Sequence, residues 1–410
     1  MKSMRGARFL ALAVALVAAE PAGLPAVEAE PKASLPALAD RAMGDLLEHW
    51  WNGTSEEGHI SPTHGGYVVK DRGAFWERAM LVQALDGAAD LAGPDRRRVV
   101  ERMRAEWRHD LALYRPDELE RCGPGTISPW SDDAGWALLY YMAIYRRCDE
   151  PEALAHAKGL CRQMVARWHD AGAGGLWYND DRRVKSLYAV AYVLGALEVF
   201  AATGETEFRD QALAVYDWLE KHLLRPDHLY WCEESVGPPA DPAHPAGPVG
   251  SNRPDAIHPA GSVVYLGGNM GMSVCQARLF ELTQEARFRD AALATTTALC
   301  RHLVNGEGCF INDRDAFNNG AFASLWARHV LRLPGVAPEA GEILKRTARQ
   351  IASRRTDENY APGKGPVGPG FYPADWDGGT AWKLQGSWAN MLHVSASSVG
   401  IIVGAALADR

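Results

Sequence analysis

The sequence reads as a long series of helices, and these helices alternate in how their charged residues are distributed. The stretch from Ala134 to Tyr145 contains no charged residue and segment 385–407 contains none, whereas segment 206–223 carries six. A helix that is apolar on all sides must be buried on all sides, while a helix that is apolar on one side faces water with the other. The alternation therefore predicts an inner ring of buried helices wrapped by an outer ring of amphipathic helices.

An internal repeat indicates that these helices come in pairs. The heptapeptide Phe-Arg-Asp-Gln-Ala-Leu-Ala at 208–214 reappears as Phe-Arg-Asp-Ala-Ala-Leu-Ala at 288–294, eighty residues later, and a weaker copy lies fifty-five residues upstream of the first. Self-similarity of this kind is typical of architectures built from repeated supersecondary units. Each unit reads as an inner helix, a short turn such as Thr203-Gly204-Glu205, an outer helix and a longer loop.

We predict an all-α fold of twelve helices, the number that six helical hairpins need to close into an (α/α)6 barrel. An open solenoid of the same hairpins is the alternative. Alternating runs rich in Val, Ile and Thr, which would predict strands, are nearly missing from the sequence. The predicted helices lie near residues 35–51, 72–92, 95–113, 131–147, 151–169, 184–202, 206–223, 266–283, 286–304, 316–332, 338–355 and 385–407.

The longer loops each join an outer helix to the next inner helix, so all of them are expected at one end of the barrel. They contain much of the Trp, Tyr, Asp, Asn, Gly and Pro of the chain. Because binding and catalytic residues are concentrated on loops that a rigid scaffold positions, we expect the functional site at that end. These loops are 52–71, 114–130, 170–183, 224–265, 305–315 and 356–384.

The most informative local motif is the pair Asp132-Asp133 at the start of the fourth predicted helix. One interpretation is capping, because Ser131 or Asp132 would be a good N-cap and acidic residues in a first turn suit the helix dipole. The other is catalysis. Glycoside hydrolysis uses a pair of carboxyl groups, which stand about 5–5.5 Å apart in retaining enzymes. Two carboxylates this close cannot both ionise freely, so one pKa should be raised, as an acid catalyst requires.

Several aromatic residues and one amide are candidates for contacting a sugar. Trp130, Trp177, Tyr178 and Trp382 lie in or beside the predicted loops, where flat rings can stack on the apolar faces of sugars or can simply pack in the protein. Asn269 begins a predicted inner helix, where it could bond a sugar hydroxyl or cap the helix.

These motifs resemble those of glycoside hydrolase family 76, the endo-α-1,6-mannanases. Segment 131–138, Ser-Asp-Asp-Ala-Gly-Trp-Ala-Leu, is similar to the family's Asp-Asp-x-x-Trp motif, and segment 174–178 resembles its Gly-Gly-hydrophobic-Trp-Trp stretch. Segment 265–271 is similar to its Tyr-Asn-Gln-Gly segment. The resemblance extends over most of 72–332. It implies an (α/α)6 barrel, Asp132 as nucleophile, Asp133 as acid/base, Trp136 within the substrate site, and no cofactor.

The chain also departs from the family pattern. Ala137 stands where the family often has a second Trp, Tyr178 replaces a common Trp, and Met270 replaces a Gln. These departures leave open a divergent member with another α-mannoside as substrate.

The N-terminus is predicted to direct export. A basic start precedes an apolar run from Phe9 to Ala19, which is too short to span a bilayer and is typical of a signal peptide. Cleavage is expected after Ala29, or earlier after Ala19. We therefore predict a signal peptide at 1–29, a single catalytic domain at 30–410, and a secreted or periplasmic location.

Composition excludes other classes of partner. The net charge is -8 and no Lys/Arg stripe is present, which argues against nucleic acid. No segment after the signal peptide is apolar enough to predict a membrane span. The seven Cys show no CxxC spacing, which predicts no metal site, and buried thiols are the expected role for these residues. We expect a monomer.

The sequence thus predicts a secreted retaining glycoside hydrolase that cleaves α-mannosidic linkages in mannan poly- or oligosaccharides, most directly an endo-α-1,6-mannanase. Two alternatives remain. The first is another (α/α)6 sugar enzyme, either an unsaturated-uronide hydrolase or a sugar epimerase. The second is a non-catalytic carbohydrate-binding protein, which would be indifferent to loss of either Asp132 or Asp133.

Overall fold

A computed structural model describes residues 33–54, 56–57, 59–60, 75–91, 96–113, 130–235, 264–311, 320–355, 372 and 392–410. The predicted signal peptide and Trp382 lie outside the described residues. The described part of the chain contains twelve α-helices: α1 Leu35–Trp50, α2 Phe75–Leu91, α3 Arg96–Leu113, α4 Ser131–Cys148, α5 Pro151–Trp168, α6 Val190–Thr203, α7 Thr206–Leu223, α8 Leu266–Thr283, α9 Ala286–His302, α10 Ala323–Leu325, α11 Pro338–Ser353 and α12 Leu392–Ala408.

The even-numbered helices contact one another in a closed order. Helix α2 packs against α4, α4 against α6, and α6 against α8. Helix α8 contacts the π-helical turn Trp326–Val330 that continues α10; α10 contacts α12, and α12 returns to α2. The odd-numbered helices pack outside this cycle, each against one or more of its members.

Burial follows the alternation that the sequence predicts. In α8 every residue from Leu266 to Ala277 is buried, and in α4 every residue from Ala134 to Ile144 is buried. In α11, by contrast, the buried residues recur at helical spacing on one side only: Ala340, Ile343, Leu344, Thr347, Ala348 and Ile351. The prediction of buried inner and amphipathic outer helices is confirmed.

The sequence repeat is also a structural repeat. After α7, the N–H of Arg225 donates to the carbonyl of Leu229 (2.8 Å), and eighty residues later the N–H of Asn305 donates to Cys309 (2.8 Å) after α9. His228 and Gly308 occupy the same left-handed position in the two turns, with φ of 66° and 75°. The same local sequence therefore ends two successive hairpins in the same turn.

Two short antiparallel strand pairs interrupt the helical pattern. Strand β1 (Trp51–Asn52) pairs with β2 (His59–Ile60), and β3 (Val184–Ser186) pairs with β4 (Glu233–Ser235). The prediction of a helix from residue 184 was therefore wrong at its start. The first three residues form β3, a 3-10 turn follows at Leu187–Ala189, and α6 begins at Val190.

One other predicted helix differs from the structure. In the described part of the helix predicted at 316–332, only α10 and its π-helical turn are helical. The predicted start of the last helix at 385 lies outside the described residues, and α12 is described from Leu392 onward. Among the described helices, none is both long enough and apolar enough to span a membrane. The six described cysteines are free thiols, five of them buried.

A network of ion pairs joins the C-terminal ends of the inner helices. Asp86 near the end of α2 accepts from Arg146 (2.9 Å) and Arg147 (2.6 Å) of α4, and from Arg328 of the turn after α10. Arg146 also reaches Glu198 of α6 at 3.0 Å.

The network continues around the ring. Glu198 of α6 pairs with Arg278 of α8 at 2.8 Å, and Glu281 of α8 pairs with His329 at 3.0 Å. Arg410, which follows α12, donates to backbone carbonyls at the end of α2. Because C-terminal ends meet here in all six cases, the inner helices run parallel. Their N-termini, and with them the positive ends of their dipoles, lie at the opposite end.

We expect Asp86→Asn to destabilise the fold strongly. Asp86 is 1% exposed. Its burial alone would raise its pKa, but Arg146, Arg328 and Arg147 together hold that pKa far below its usual range. The variant removes the buried carboxylate that pairs with all three guanidinium groups. In the described residues, those groups then keep two carboxylate partners, Glu198 and Asp90. Breaking a buried ion pair costs about 3–5 kcal/mol. Urea unfolding at pH 7 measures this loss.

The same experiment has a pH control. Because the pKa of Asp86 is depressed in the folded protein, its stabilisation is present above the unfolded-state pKa and is lost as pH falls below it. The difference between wild type and Asp86→Asn should therefore shrink below about pH 4. A difference that stays constant down to pH 2 would contradict the ionic role.

Candidate active site

The predicted carboxylate pair lies at the end of the ring that is opposite the ion-pair network. Asp132 and Asp133 occupy the first turn of α4, where the positive end of the helix dipole favours negative charge. The N-cap position is Trp130, whose side chain makes no capping hydrogen bond. Neither Ser131 nor Asp132 is therefore the cap, and both carboxylates lie inside the first turn.

The two carboxylate oxygens of Asp132 differ in their hydrogen bonding. The Tyr178 hydroxyl donates to its Oδ2 at 3.3 Å. Its Oδ1 is buried and has no hydrogen-bond partner within the described residues. A buried carboxylate oxygen without a donor is costly, so a native structure that keeps one invites a functional explanation.

The same surroundings perturb the acidity of this group. Burial and the adjacent Asp133 carboxylate raise the pKa of Asp132 well above its usual range, while the hydrogen bond from Tyr178 and the backbone N–H groups of the first turn oppose the rise. The pair therefore holds a proton at pH values where an isolated carboxyl group would have lost it, and this proton is shared by the pair.

The backbone of Tyr178 is fixed on both sides. Its carbonyl accepts from the N–H of Ser131 at 2.8 Å, which satisfies one of the free donors at the start of α4. Its own N–H donates to the carbonyl of Val184 in β3 at 2.7 Å. Tyr178 thus bridges the first turn of α4 and the β3–β4 strand pair, and this arrangement directs its hydroxyl to Asp132.

Two glycines make the approach to Tyr178 possible. Gly174 and Gly175 have φ of 78° and 72°, a left-handed backbone that favours glycine. A Cβ on Gly175 would lie 2.6 Å from the ring of Trp218, so no larger residue fits there without displacing that ring. The Gly-Gly pair of the sequence motif is thus required by both conformation and packing.

Three of the aromatic candidates lie near the aspartate pair. The Trp130 ring lies beside that of Tyr178, with centroids 5.1 Å apart and a tilt of 53°, and both residues are half-buried. Trp177 is also half-buried and covers the ammonium of Lys185, 4.6 Å from its ring centroid. The structure therefore brings Trp130, Tyr178 and the aspartate pair together, with Trp177 next to them in the chain.

Trp136 and Asn269 lie inside the inner ring. Trp136 is 1% exposed and packs on Phe322, with ring centroids 5.0 Å apart. Asn269 is fully buried; its oxygen accepts from the N–H of Tyr230 (2.7 Å) and its amide donates to the carbonyls of Tyr230 and Tyr265. Trp136 is thus engaged in packing and Asn269 in hydrogen bonds within the protein. Their contact with substrate stays a prediction.

Two functional candidates were missed by the sequence reasoning. Glu233 on β4 lies within electrostatic range of Tyr178, and burial raises its pKa to about 8. Lys185 on β3 is fully buried beside Trp177. The sequence does contain a hint of the importance of Lys185, because it is the only charged residue in the otherwise uncharged segment 184–197. Among the described residues, no group of three or more His, Cys, Asp or Glu side chains could hold a metal ion.

Comparison with known proteins gives a consistent result. Residues 34–236 match the family model of glycosyl hydrolase family 76. No curated protein matches the chain. Among solved structures, the α-1,6-mannanase of Salegentibacter sp. HEL1_6 is 14% identical, with a TM-score of 0.65 over 92% of this chain and 100% of that one.

Two further structures share the fold. A family 76 glycoside hydrolase from a bovine Bacteroides thetaiotaomicron strain is 15% identical, with a TM-score of 0.67 over 92% of this chain and 79% of that one. An unsaturated glucuronyl hydrolase specific for heparin is 14% identical, with a TM-score of 0.61 over 91% of this chain and 96% of that one. The solved structures show the shared fold, and the matched family model shows that the chain belongs to glycoside hydrolase family 76.

Proposed function

We propose that the protein is a retaining glycoside hydrolase that cleaves α-1,6-mannosidic linkages in mannan. The observation that carries this proposal is the pair Asp132-Asp133 in the first turn of α4, with one oxygen of Asp132 bonded by Tyr178 and the other buried without a partner in the described residues. Family membership supports a glycoside hydrolase, and the adjacent carboxyl groups are what a double displacement at a sugar carbon needs.

The two aspartates would have different roles. The ionised Asp132 attacks the anomeric carbon, while the protonated Asp133 gives its proton to the departing glycosidic oxygen. Asp133, now ionised, then takes a proton from water, and that water releases the sugar from Asp132. After this second step the pair again carries one proton. No cofactor is needed.

The reaction requires the shared proton to sit on Asp133 when substrate binds. Burial and the neighbouring carboxylate both favour a protonated Asp132. The Tyr178 hydroxyl opposes them, because a hydrogen bond donated to a carboxylate stabilises its ionised form. We infer that Tyr178 moves the shared proton toward Asp133 and so prepares Asp132 as the nucleophile.

The choice of α-1,6-mannan follows the structural relatives. The Salegentibacter enzyme is an α-1,6-mannanase, and a variant of it in which two adjacent aspartates were replaced is inactive and was solved in complex with α-1,6-mannotetrose. In the present chain the aromatic pair Trp130 and Tyr178 would offer ring faces to a mannose unit beside the carboxylates.

The closed order of inner-helix contacts supports the (α/α)6 barrel, with this site at its loop-bearing end. The monomeric state, the secreted or periplasmic location and the absence of a cofactor remain part of the proposal.

We expect Asp132→Asn and Asp133→Asn to abolish most activity. Loss of the nucleophile should lower kcat by about 10⁴-fold or more. Loss of the acid/base should lower it by about 10²–10⁴-fold. The measurement is reducing-sugar release with product sizing on linear α-1,6-mannan, with folding checked by circular dichroism.

A matched control is available on the neighbouring loop. Asp181 is an exposed acid there, and Asp181→Asn should keep activity within about twofold, since surface substitutions rarely matter. Reducing-sugar release that persists in both Asp132→Asn and Asp133→Asn would contradict the assignment of these residues as the catalytic pair. NMR of the first-formed product tests the mechanism, because a β-anomer would exclude retention.

Tyr178→Phe should shift the pH dependence of kcat/KM. Without the hydroxyl, Asp132 is protonated more easily, so the acidic limb should move to higher pH. A hydrogen bond to a charged group contributes about 1.5–3 kcal/mol, which corresponds to a shift of about 1–2 pH units. A pH–rate profile of wild type and variant measures this. An unchanged acidic limb would show that Tyr178 does not act on the nucleophile.

A further inference from the structure

We propose that Lys185 is a positioning residue for Asp132, which acts by fixing the loop that aims the Tyr178 hydroxyl at that carboxylate. The inference rests on the proposed function for the role of Asp132, but the contacts that carry it belong to the loop and strand alone.

Lys185 is a buried cation with a complete set of partners. Its side chain is 0% exposed, and its ammonium donates to Oδ2 of Asp170 at 2.8 Å and to the carbonyl of Gly174. The Trp177 ring centroid lies 4.6 Å from the ammonium and the Trp218 ring centroid lies 4.8 Å from it. Cations are attracted to aromatic faces at such distances, and more strongly when they are shielded from water.

These partners tie together the two ends of one turn. Asp170 begins the turn, and its Oδ1 accepts from the N–H groups of Gly172 and Ala173 at 2.9 and 3.1 Å. Lys185 bonds the other oxygen of Asp170 and, through the carbonyl of Gly174, the far end of the turn. The hydrogen bond from Lys185 is also the main reason that the pKa of Asp170 falls to about 2.

The turn leads directly into the residue that contacts the nucleophile. Trp177, which covers the ammonium, precedes Tyr178, and the carbonyl that accepts from the N–H of Tyr178 belongs to Val184, the neighbour of Lys185. A shift of Lys185 therefore moves Tyr178 through both its preceding side chain and its backbone partner. Ser131 at the start of α4 holds the carbonyl of Tyr178, so movement of β3 changes the geometry between Tyr178 and Asp132.

Stability alone does not explain a lysine at this buried position. A buried ammonium costs several kcal/mol unless it is paired and hydrogen bonded, and a hydrophobic residue of similar volume is often as stable. Lys185 sits on the face of β3 opposite to Ser186, which pairs with Glu233 in β4. The ammonium contacts the turn and is fully buried, so it does not reach substrate itself.

Several titratable groups act on the residues that link Lys185 to Asp132. In the described residues Asp170 faces Lys185, and Asp133 and Tyr178 face Asp132. Glu233 on β4 and the neighbouring Cys232 also act on Tyr178. A change at Lys185 should therefore reach Asp132 through Tyr178 and not through a direct charge.

The test is a double-mutant cycle of Lys185→Met and Tyr178→Phe, read in two ways. The first readout is the titration of the Asp132 carboxyl by ¹³C NMR, assigned with Asp132→Asn, on protein without substrate. The second is kcat and KM on α-1,6-mannan. Lys158→Met is the matched control, because Lys158 forms a partly exposed pair with Glu205, in the turn at the other end of the molecule.

We expect each single variant to raise the apparent pKa of Asp132 and to lower kcat by about tenfold, with KM changed by less than about threefold. The double variant should match Tyr178→Phe alone, because Lys185 acts through that hydroxyl. Lys158→Met should leave both readouts unchanged. If Lys185→Met does not fold, Asp170→Asn replaces it in the cycle, with the same expectation.

Additive losses in the double variant, or an Asp132 titration that does not respond to Lys185→Met in the folded protein, would overturn the positioning role. The two proposals fail separately. If the wild type is inactive on mannan but the Asp132 pKa changes in the variants as expected, the substrate assignment is rejected and the positioning role of Lys185 is supported. Activity that depends on both aspartates, with no coupling in the cycle, supports the function and rejects Lys185.

Discussion

The ion-pair network around Asp86 determines how the rest of the molecule is arranged. It is built from the C-terminal ends of the inner helices, so those helices must run parallel, and the first turn of α4 must lie at the other end of the ring. Parallel helices concentrate the negative ends of their dipoles at one place, and the guanidinium groups of Arg146, Arg147 and Arg328 offset that charge. The opposite end is correspondingly favourable for carboxylates, and Asp132 and Asp133 lie there.

The site itself depends on a smaller assembly. The first turn of α4, the turn after α5 and strand β3 meet at Tyr178, whose backbone is held from both sides and whose hydroxyl reaches Asp132. Two of these parts are anchored in the packed interior. The turn after α5 is held by the buried Leu176, and strand β3 is held by Lys185 with its carboxylate and ring partners. A reactive group that must stay within hydrogen-bond reach benefits from such support, because small displacements are costly in catalysis.

The helical order, the inner and outer rings and the repeat could be predicted because periodicity and charge distribution are local properties of the chain. The position of the carboxylate pair at the start of α4 was predictable for the same reason. The role of Tyr178 as a donor to Asp132 was not, because it depends on a pairing across 46 residues. Strand β3 was taken for helix because its partner, β4, lies in a distant loop, and no local pattern in β3 reports that pairing.

The repeated hairpins have a consequence for how such a protein can change. Three successive outer helices, α5, α7 and α9, are each followed by a turn that closes with a bridge of the same kind, at His169 and Leu176, Leu224 and Tyr230, and Val304 and Phe310. The first of these turns leads to Tyr178, whose hydroxyl donates to Asp132. The scaffold thus carries the same turn at three places. Sequence changes in the turn after α7 or α9 could alter specificity while the turn that leads to Tyr178 stays intact.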